Sequence, residues 1–595
     1  MSYVKRITDY ISRKWKTLLM YYRTEGITGV TRGLKRAIFL SVTGGRRAIL
    51  NMQKKRAAED PKYHQWFLDM LPDEKERERQ HGRTFSHTLS FLIPTYNTRP
   101  DLLEALADSL KRQTCDAWEA CFLDGHSSRE ETKAVLQRLS QEDSLFHVEF
   151  SEENLGISGN TNKAFEMAKG DVIALCDHDD LLTEDAVYWL LDAFEHGTDL
   201  VYSDEDKTDE DGSRFFDPHL KADFSPDSLR SGNYICHCMA MTRKLYEEAG
   251  RLRSACDGSQ DHDLALRASE KARVIAHIPR VLYHWRMVQT SFSHAAQERC
   301  AEAALRGVSD QLTRLKLGGT AHMELMNPKI SWDLPEHASV SIHVRGTQDL
   351  DKWLKKLLKK TDRQDLKLVR DIQVEEGTQH AEEILGIPIR SGSPGGSLAL
   401  FLDTGLLPEE KGWLHALVGF ATRPWIGYAG GAVTDRRKFY FSCGYALGGS
   451  QMLIPRMHGE HSLGHTYQLY DRTPRDVTAV SRRCLMIRRE LLEKTKGLEE
   501  YASDLGSAAL GLRLMEKGLY NVTVPDACMR DISMKDAAGE KLDIPQTELR
   551  RFKEEFGDNP PEHFFSPHFE RENGAMFVDT SVHRAAEAAY TDNRF

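Results

Sequence analysis

Three carboxylates crowd the stretch GDVIALCDHDDLL, which begins at Gly170: Asp177, Asp179 and Asp180 follow at once on the apolar run Val172 to Cys176. Acids this close repel one another unless a cation, hydrogen bonds or water relieves them. Asp177 and Asp179, one residue apart after a strand, form a D-x-D pair. Its hard oxygens suit Mg2+ or Mn2+ beside a substrate diphosphate. A solvated loop capping the next helix is the plainer reading, and Asp204 and Asp206 in YSDEDK form a competing pair after another apolar run. A second constellation, DGSQDHDLALR, sets Asp261 and Asp263 just before a helical pattern. Asp261 there could take the proton of an acceptor hydroxyl, or both acids could simply favour a helix N-terminus.

Downstream, HIPRVLYHWR supplies His284 and Arg286. They read as a metal ligand and a charge clamp for a diphosphate, or, for His284, as a satisfied core histidine. Cys236 and Cys238 flank His237 in NYICHCMA. Zinc would need a fourth ligand that is not evident, so alternation on a strand is the expectation. Together these groups suggest displacement at a carbon bearing a diphosphate, with a metal taking the place of a general acid. A glycoside hydrolase would need that acid beside a second carboxylate, and no metal.

The elements that must position these residues repeat in order. From Leu89 the chain alternates buried runs (LSFLIPTYN, WEACFLD, HVEF, DVIALCD) with helical segments such as RPDLLEALADSLKRQ. This rhythm predicts a largely parallel sheet covered on both faces, which binds ligands at the carboxyl ends of its strands. A second copy follows. VSIHVRGTQDLDKWLKKLLKK tracks LSFLIPTYNTRPDLLEALADSLKR, LALFLDTGLLPEE tracks VIALCDHDDLLTED, and GLRLMEKGLYNVTVPDACMR tracks ALRASEKARVIAHIPRVLYH. Matches in the same order argue for a duplicated domain. Asp177 keeps a counterpart in Asp403, but Asp179 becomes Gly405, Asp261 and Asp263 become Ser507 and Ala509, and His284 becomes Arg530. Acids kept in one copy and shed from the other are expected to serve a function rather than the fold.

The bulk composition is that of a globular chain, 595 residues with 40% hydrophobic and 29% charged. No apolar stretch approaches the roughly 20 residues of a membrane span. Ten cysteines without a paired framework and no recognisable secretory signal predict a reducing, cytoplasmic setting. The net charge of −10 hides a basic start, since residues 1–56 hold 14 Lys and Arg against 2 acids. There Val4, Ile7, Ile11, Trp15, Leu18 and Tyr22 recur at helical spacing between basic residues. This is the pattern of an amphipathic helix lying on an anionic membrane surface, or packed on the acidic remainder of the chain. That acidic remainder argues against nucleic-acid binding.

The ordered set IPTYN, NLGISGNTNKAFEMAKGDVIALCDHDD, YSDEDK, NYICH, DGSQDHDLALR and IPRVLYHWR makes residues 86–300 resemble a family 2 glycosyltransferase of the bacterial O-antigen or rhamnosyltransferase-like type. The resemblance implies an α/β fold of the GT-A kind and inverting transfer from a nucleotide-diphosphate sugar to a glycan or lipid-linked acceptor. It also implies a divalent metal and a place on the inner face of the cell membrane. By the same resemblance Pro94, Tyr96 and Asn97 would border the nucleoside, Asp124 the base, Asp177 the ribose or metal, and Asp179 the metal. Asp261 would be the catalytic base. Two places depart from the family pattern: Leu123 stands where an acid is usual, and Thr161-Asn162 where Arg-Asn is usual, so Asn162 alone is left as a nucleotide contact. The expected organisation is a helical arm (1–85), a catalytic domain (86–300), a helical linker (301–335), a degenerate copy (336–540) and a tail (541–595).

Overall fold

The computed structural model describes residues 59–592 apart from 289–296, 582–588 and a few single or paired positions (325, 347–348, 377, 393, 463, 465–466, 572–573 and 575). The basic segment 1–56, with its expected membrane helix, lies outside the described residues.

The first unit is built on strands β1 (Leu89–Thr95), β2 (Trp118–Asp124), β3 (Phe146–Phe150), β4 (Val172–Leu175), β5 (Leu181–Leu182), β6 (Leu200–Thr208), β7 (Phe215–His219), β8 (Met239–Thr242) and β9 (Val274–Arg286). The sheet runs β3-β2-β1-β4-β8-β6-β9, with β5 and β7 as short partners of β9 and β6. β1 is parallel to β2 and β4, while β8 is inserted antiparallel between β4 and β6. β1, β2 and β4 are nearly continuous apolar runs because helices cover both faces of the sheet. The helix Pro100–Lys111 starts with proline at its first turn and buries Leu103, Leu106 and Leu110. Parallel β1, β2 and β4 therefore end side by side, so Asp124 at the end of β2 and the loops carrying Asn97 and Asp177 share one edge. Gly125 lets the helix Gly156–Met167 close on that edge, since a Cβ there would sit 2.3 Å from Asn160 Nδ2.

The second unit repeats this order. Its strands run 387–390, 369–373, 340–345, 398–403, 484–488, 426–430 and 520–523, with the same parallel and antiparallel senses as β3-β2-β1-β4-β8-β6-β9. The duplication read in the sequence is thus present in the topology. Between the units lie the helix Gln297–Leu315 and a two-stranded hairpin, Thr320–Glu324 with Asn327–Ser331, where a helical linker was expected.

The chain after Lys541 is no loose tail. Its helix Gln546–Phe556 buries Leu549 and Phe552 against Tyr501, Leu505 and Ala508. Phe565, Phe569 and Met576 then share a core with Tyr63, Trp66 and Phe67 of the helix at 59–70, Leu220 and Val281 of the first unit, and Tyr440 and Tyr467 of the second. The segment that reads as polar thus ties the arm and both units together. The units also meet directly: Trp425 Nε1 donates to Asp227 (3.0 Å), and the Leu220 amide donates to the Tyr467 hydroxyl (2.7 Å).

Candidate active site

The loop after β4 divides its three acids between two tasks. Asp180 is buried and faces inward, accepting from the Tyr283 hydroxyl (2.7 Å) and the Arg286 main-chain N–H (2.8 Å), both on β9. The Tyr283 oxygen in turn accepts the Asp177 amide (3.1 Å). Burial, then Asp179 and Asp177, push the Asp180 carboxyl well above the usual carboxylate range. Asp180 is thus the staple that folds the loop back on the sheet. Asp177 and Asp179 remain open, with side chains 44% and 23% exposed. Partial burial raises the Asp177 carboxyl; His237 and His178 oppose the rise, and Asp179 and Asp261 add to it.

Asp261 comes from the first turn of the helix Gln260–Ser269 and is partly exposed. Its Oδ2 accepts from Asn233 Nδ2 at 2.7 Å. Asn233 stands four residues before His237, whose Nε2 is 3.8 Å from Asp177 Oδ2, so the segment 233–237 runs between the two carboxylates. Asp263, two residues on, does other work. It is buried against Arg253 and Arg267, with contacts of 2.9 Å and 2.7 Å, and the two guanidinium groups hold its carboxyl below the usual range against the effect of burial.

His237 was not expected here. Its ring stacks on Tyr283 (4.6 Å, 16°), its amide donates to Glu205 Oε2 (2.8 Å), and its Nε2 lies 3.8 Å from Asp177 Oδ2. Ligand atoms of Asp177, Asp180 and His237 all lie within 4.8 Å of one another. Asp180 already uses both oxygens, so the donors still open are those of Asp177 and His237, with Asp179 beside them. Carboxylate oxygens and one imidazole fit Mg2+ or Mn2+. Cys236, His237 and Cys238 precede β8 rather than alternating along it, and their side chains do not converge: Cys236 Sγ bonds Asn233 O (3.0 Å) while Cys238 is buried in the core.

Arg286, at the end of β9, meets the same loop through its main-chain N–H on Asp180. Its residue is 2% exposed and its Nε and Nη2 have no partner; burial lowers its pKa, and the charges of Asp180 and Asp179 partly offset that lowering. Buried guanidinium donors without acceptors are costly unless an anion supplies them.

His284 does not join this group. Neighbours on a strand face opposite sides, so while Tyr283 points to the acids, His284 turns to the helix at 59–70. Its Nδ1 bonds Asp206 Oδ1 (2.5 Å), and its ring packs on Phe67 and Phe215. The competing D-x-D pair is consumed in the interior as well. Asp206 also accepts from Tyr63 (2.6 Å), and Asp204 is held by His277 (3.0 Å) and the Lys221 amide (2.7 Å). Asn162 is likewise saturated, by Leu252 and Tyr246, and fastens a loop instead of facing a ligand.

At the ends of β1 and β2, Tyr96 is half exposed and Asn97 takes a left-handed backbone (φ 50°), its Oδ1 accepting the Ser128 and Arg129 amides. Pro94 sits just inside this rim, partly exposed. Asp124 is buried, its Oδ2 accepting the Ser127 amide at 2.9 Å.

The second unit shows the same edge without the same groups. Asp403 is paired with Arg345 (2.8 Å) and Arg483 (3.2 Å), and Arg483 also reaches Asp531 (2.6 Å). Gly405 takes φ +93°, a backbone suited to glycine, where the first copy carries Asp179. Ser507 Oγ bonds the Val480 carbonyl at 2.7 Å.

Residues 90–250 match the Glycosyl transferase family 2 model. The chain is 30% identical over 486 residues to the uncharacterized protein y4gI of Sinorhizobium fredii, covering 73% of this chain and 52% of that one. It is 27% identical over 481 residues to the O-antigen biosynthesis protein RfbC of Myxococcus xanthus, covering 72% and 36%. The chain therefore spans about half, or less, of these relatives' lengths. A partial likeness extends to the solved structure of S. aureus TarS 1-349, at 17% identity and a TM-score of 0.31 over 38% of this chain and 65% of that one. The match to the Glycosyl transferase family 2 model thus falls within the first unit, on a mixed α/β fold built around a parallel-rich sheet.

Proposed function

We propose that the chain is an inverting glycosyltransferase, moving a sugar from a nucleotide-diphosphate donor to a glycan or lipid-linked acceptor in surface-polysaccharide synthesis. The observation that carries this reading is the segment 233–237, which links Asp261, through Asn233 at 2.7 Å, to Asp177, through His237 at 3.8 Å, beside Asp179 at the strand ends of the unit that matches family 2.

Asp261 takes the proton from the acceptor hydroxyl as its oxygen attacks the anomeric carbon. The carbon–oxygen bond to the diphosphate breaks on the opposite side, and its electron pair leaves with the diphosphate, which inverts the centre. Arg286 offers its unpartnered N–H groups to phosphate oxygens. A divalent ion, Mg2+ or Mn2+, held by Asp177, Asp179 and His237 would supply neutralising charge for the leaving diphosphate. Asp177 can also meet the ribose, while Pro94, Tyr96, Asn97 and Asp124 border the nucleoside. The relative named for O-antigen biosynthesis supports a polysaccharide acceptor. The basic segment 1–56 suits an anionic inner membrane face, and among the described residues no helix is long and apolar enough to cross a membrane.

For the second unit a binding or structural role is favoured, because arginines already neutralise its remaining acid. The test is a panel of UDP-, GDP- and dTDP-sugars with Mn2+, read as released nucleoside diphosphate. Release from at least one donor supports the reading; release of pyrophosphate alone would point to nucleotidyl transfer instead.

A further inference from the structure

We propose that Asn233 is the positioning residue for Asp261, fixing one carboxylate oxygen so that the other faces the acceptor hydroxyl. The inference rests on the reading of Asp261 as the base.

A carboxylate has two equivalent oxygens and a free side-chain rotation, so a base used in one geometry needs something to choose the rotamer. Asn233 Nδ2 donates to Asp261 Oδ2 at 2.7 Å. An asparagine amide could equally turn its oxygen to that place, which would repel the acid. Here it cannot, because Asn233 Oδ1 accepts the Cys236 main-chain N–H (3.1 Å). The donor end of the amide is thereby aimed at Asp261. Among the described residues no donor is bonded to Asp261 Oδ1, which stays available for the incoming proton.

The duplicate supplies an independent observation. Cross-strand pairs fix the alignment of the two copies, Val172 with Thr242 in one and Leu398 with Arg488 in the other. Counted from Thr242 and Arg488 along the unbroken chain, Asn233 falls on Ala479 and Asp261 on Ser507. The copy that lacks the base also lacks the amide. The spatial correspondence survives, since Ser507 Oγ bonds the Val480 carbonyl, next to Ala479, where Asp261 meets Asn233. The framework needs contact at this point but not an amide, so the amide follows the carboxylate. His237 lies on the same short segment, so one stretch of chain orients both sides of the cleft.

The experiment uses the full chain and the donor that turns over in the panel above, with water or a saccharide as acceptor. Asn233→Asp keeps an oxygen for the Cys236 amide but removes the donor to Asp261; Asn233→Ala removes both. Both variants should lose about 100-fold in kcat, with the donor KM and the Mn2+ affinity measured by calorimetry within about 2-fold of the parent. Asn233→Asp at near-parental kcat, while Asp261→Asn is inactive, overturns this inference and leaves the base standing. Full activity in Asp261→Asn overturns the base itself. A loss in both Asn233 variants that appears only as raised donor KM, or with a collapsed melting transition, assigns Asn233 to loop structure and also overturns the inference. Should neither variant fold, a crystal structure of the donor-bound parent decides: an Asn233–Asp261 separation beyond about 3.5 Å rules the contact out.

Discussion

Arg483 stands in the second unit at the register position that His237 holds in the first. Each lies five residues before a matched cross-strand residue, Thr242 or Arg488, and each faces the acid that ends the neighbouring strand, Asp177 or Asp403. One copy therefore places an imidazole beside its carboxylate, where a cation can be shared. The other builds a permanent cation into the chain.

That exchange can be made by a single substitution. His237→Arg should place a guanidinium beside Asp177 and abolish Mn2+ binding and Mn2+-stimulated turnover, with the melting temperature little changed because the residue is partly exposed. His284→Gln should leave Mn2+ affinity as in the parent. Calorimetric titration of Mn2+ into the two variants checks both, and equal loss in each would contradict the placement of His284.

Asp263 and Asp261 sit two residues apart and should fail in different ways. Asp263→Asn leaves Arg253 and Arg267 without their buried partner, and breaking such a set costs roughly 3–5 kcal/mol. Urea denaturation should show that loss for Asp263→Asn and almost none for Asp261→Asn.

Tyr63 joins the arm to the first unit through its bond to Asp206, which is buried and also holds His284. Tyr63→Phe keeps the ring in its aromatic core but removes a donor to an acid, costing about 1–3 kcal/mol. Thermal melting should fall while turnover of the folded enzyme persists.

His277 gives the fold a pH dependence. It is buried between Asp204 and Asp223, each at 3.0 Å, and Asp223 also holds His563 of the C-terminal segment (2.8 Å). Burial disfavours the charged ring, but the two carboxylates outweigh it and carry its pKa up to about 9. A folded-state value above the unfolded one contributes stability that is full below about pH 6.5 and is lost as the pH rises through about 9. Urea midpoints should therefore decline across that window, and His277→Asn should flatten the decline. A parent curve that stays level from pH 6.5 to 9.5 would contradict it.

The residues that announced themselves in the sequence did so through the duplication. Repeated strand and helix patterns exposed the duplication and a largely parallel sheet, though not the strand order or the antiparallel β8, and the loss of Asp179 and Asp261 from the second copy set them apart as candidates for function. What stayed hidden depended on facing and on distance along the chain. His284 and Tyr283 are adjacent, and only the partners waiting on either side decide that the tyrosine meets the acids; one of the histidine's partners, through Asp206, is Tyr63. Asn162 looked like half of a familiar pair, but its amide is spent on Leu252 and Tyr246. His237 was masked by its flanking cysteines, although its alignment with Arg483 was a usable signal. The C-terminal segment read as polar because its apolar groups, Phe564, Phe565 and Phe569, are few and find their core only against other parts of the chain.

The central claim is proton removal by Asp261 across a cleft from Asp177. It is tested most directly by comparing nucleoside diphosphate release, with Mn2+ and the accepted sugar donor, between the parent and Asp261→Asn. A drop of at least about 100-fold with unchanged melting and Mn2+ binding is the predicted result; parental turnover in Asp261→Asn would contradict it.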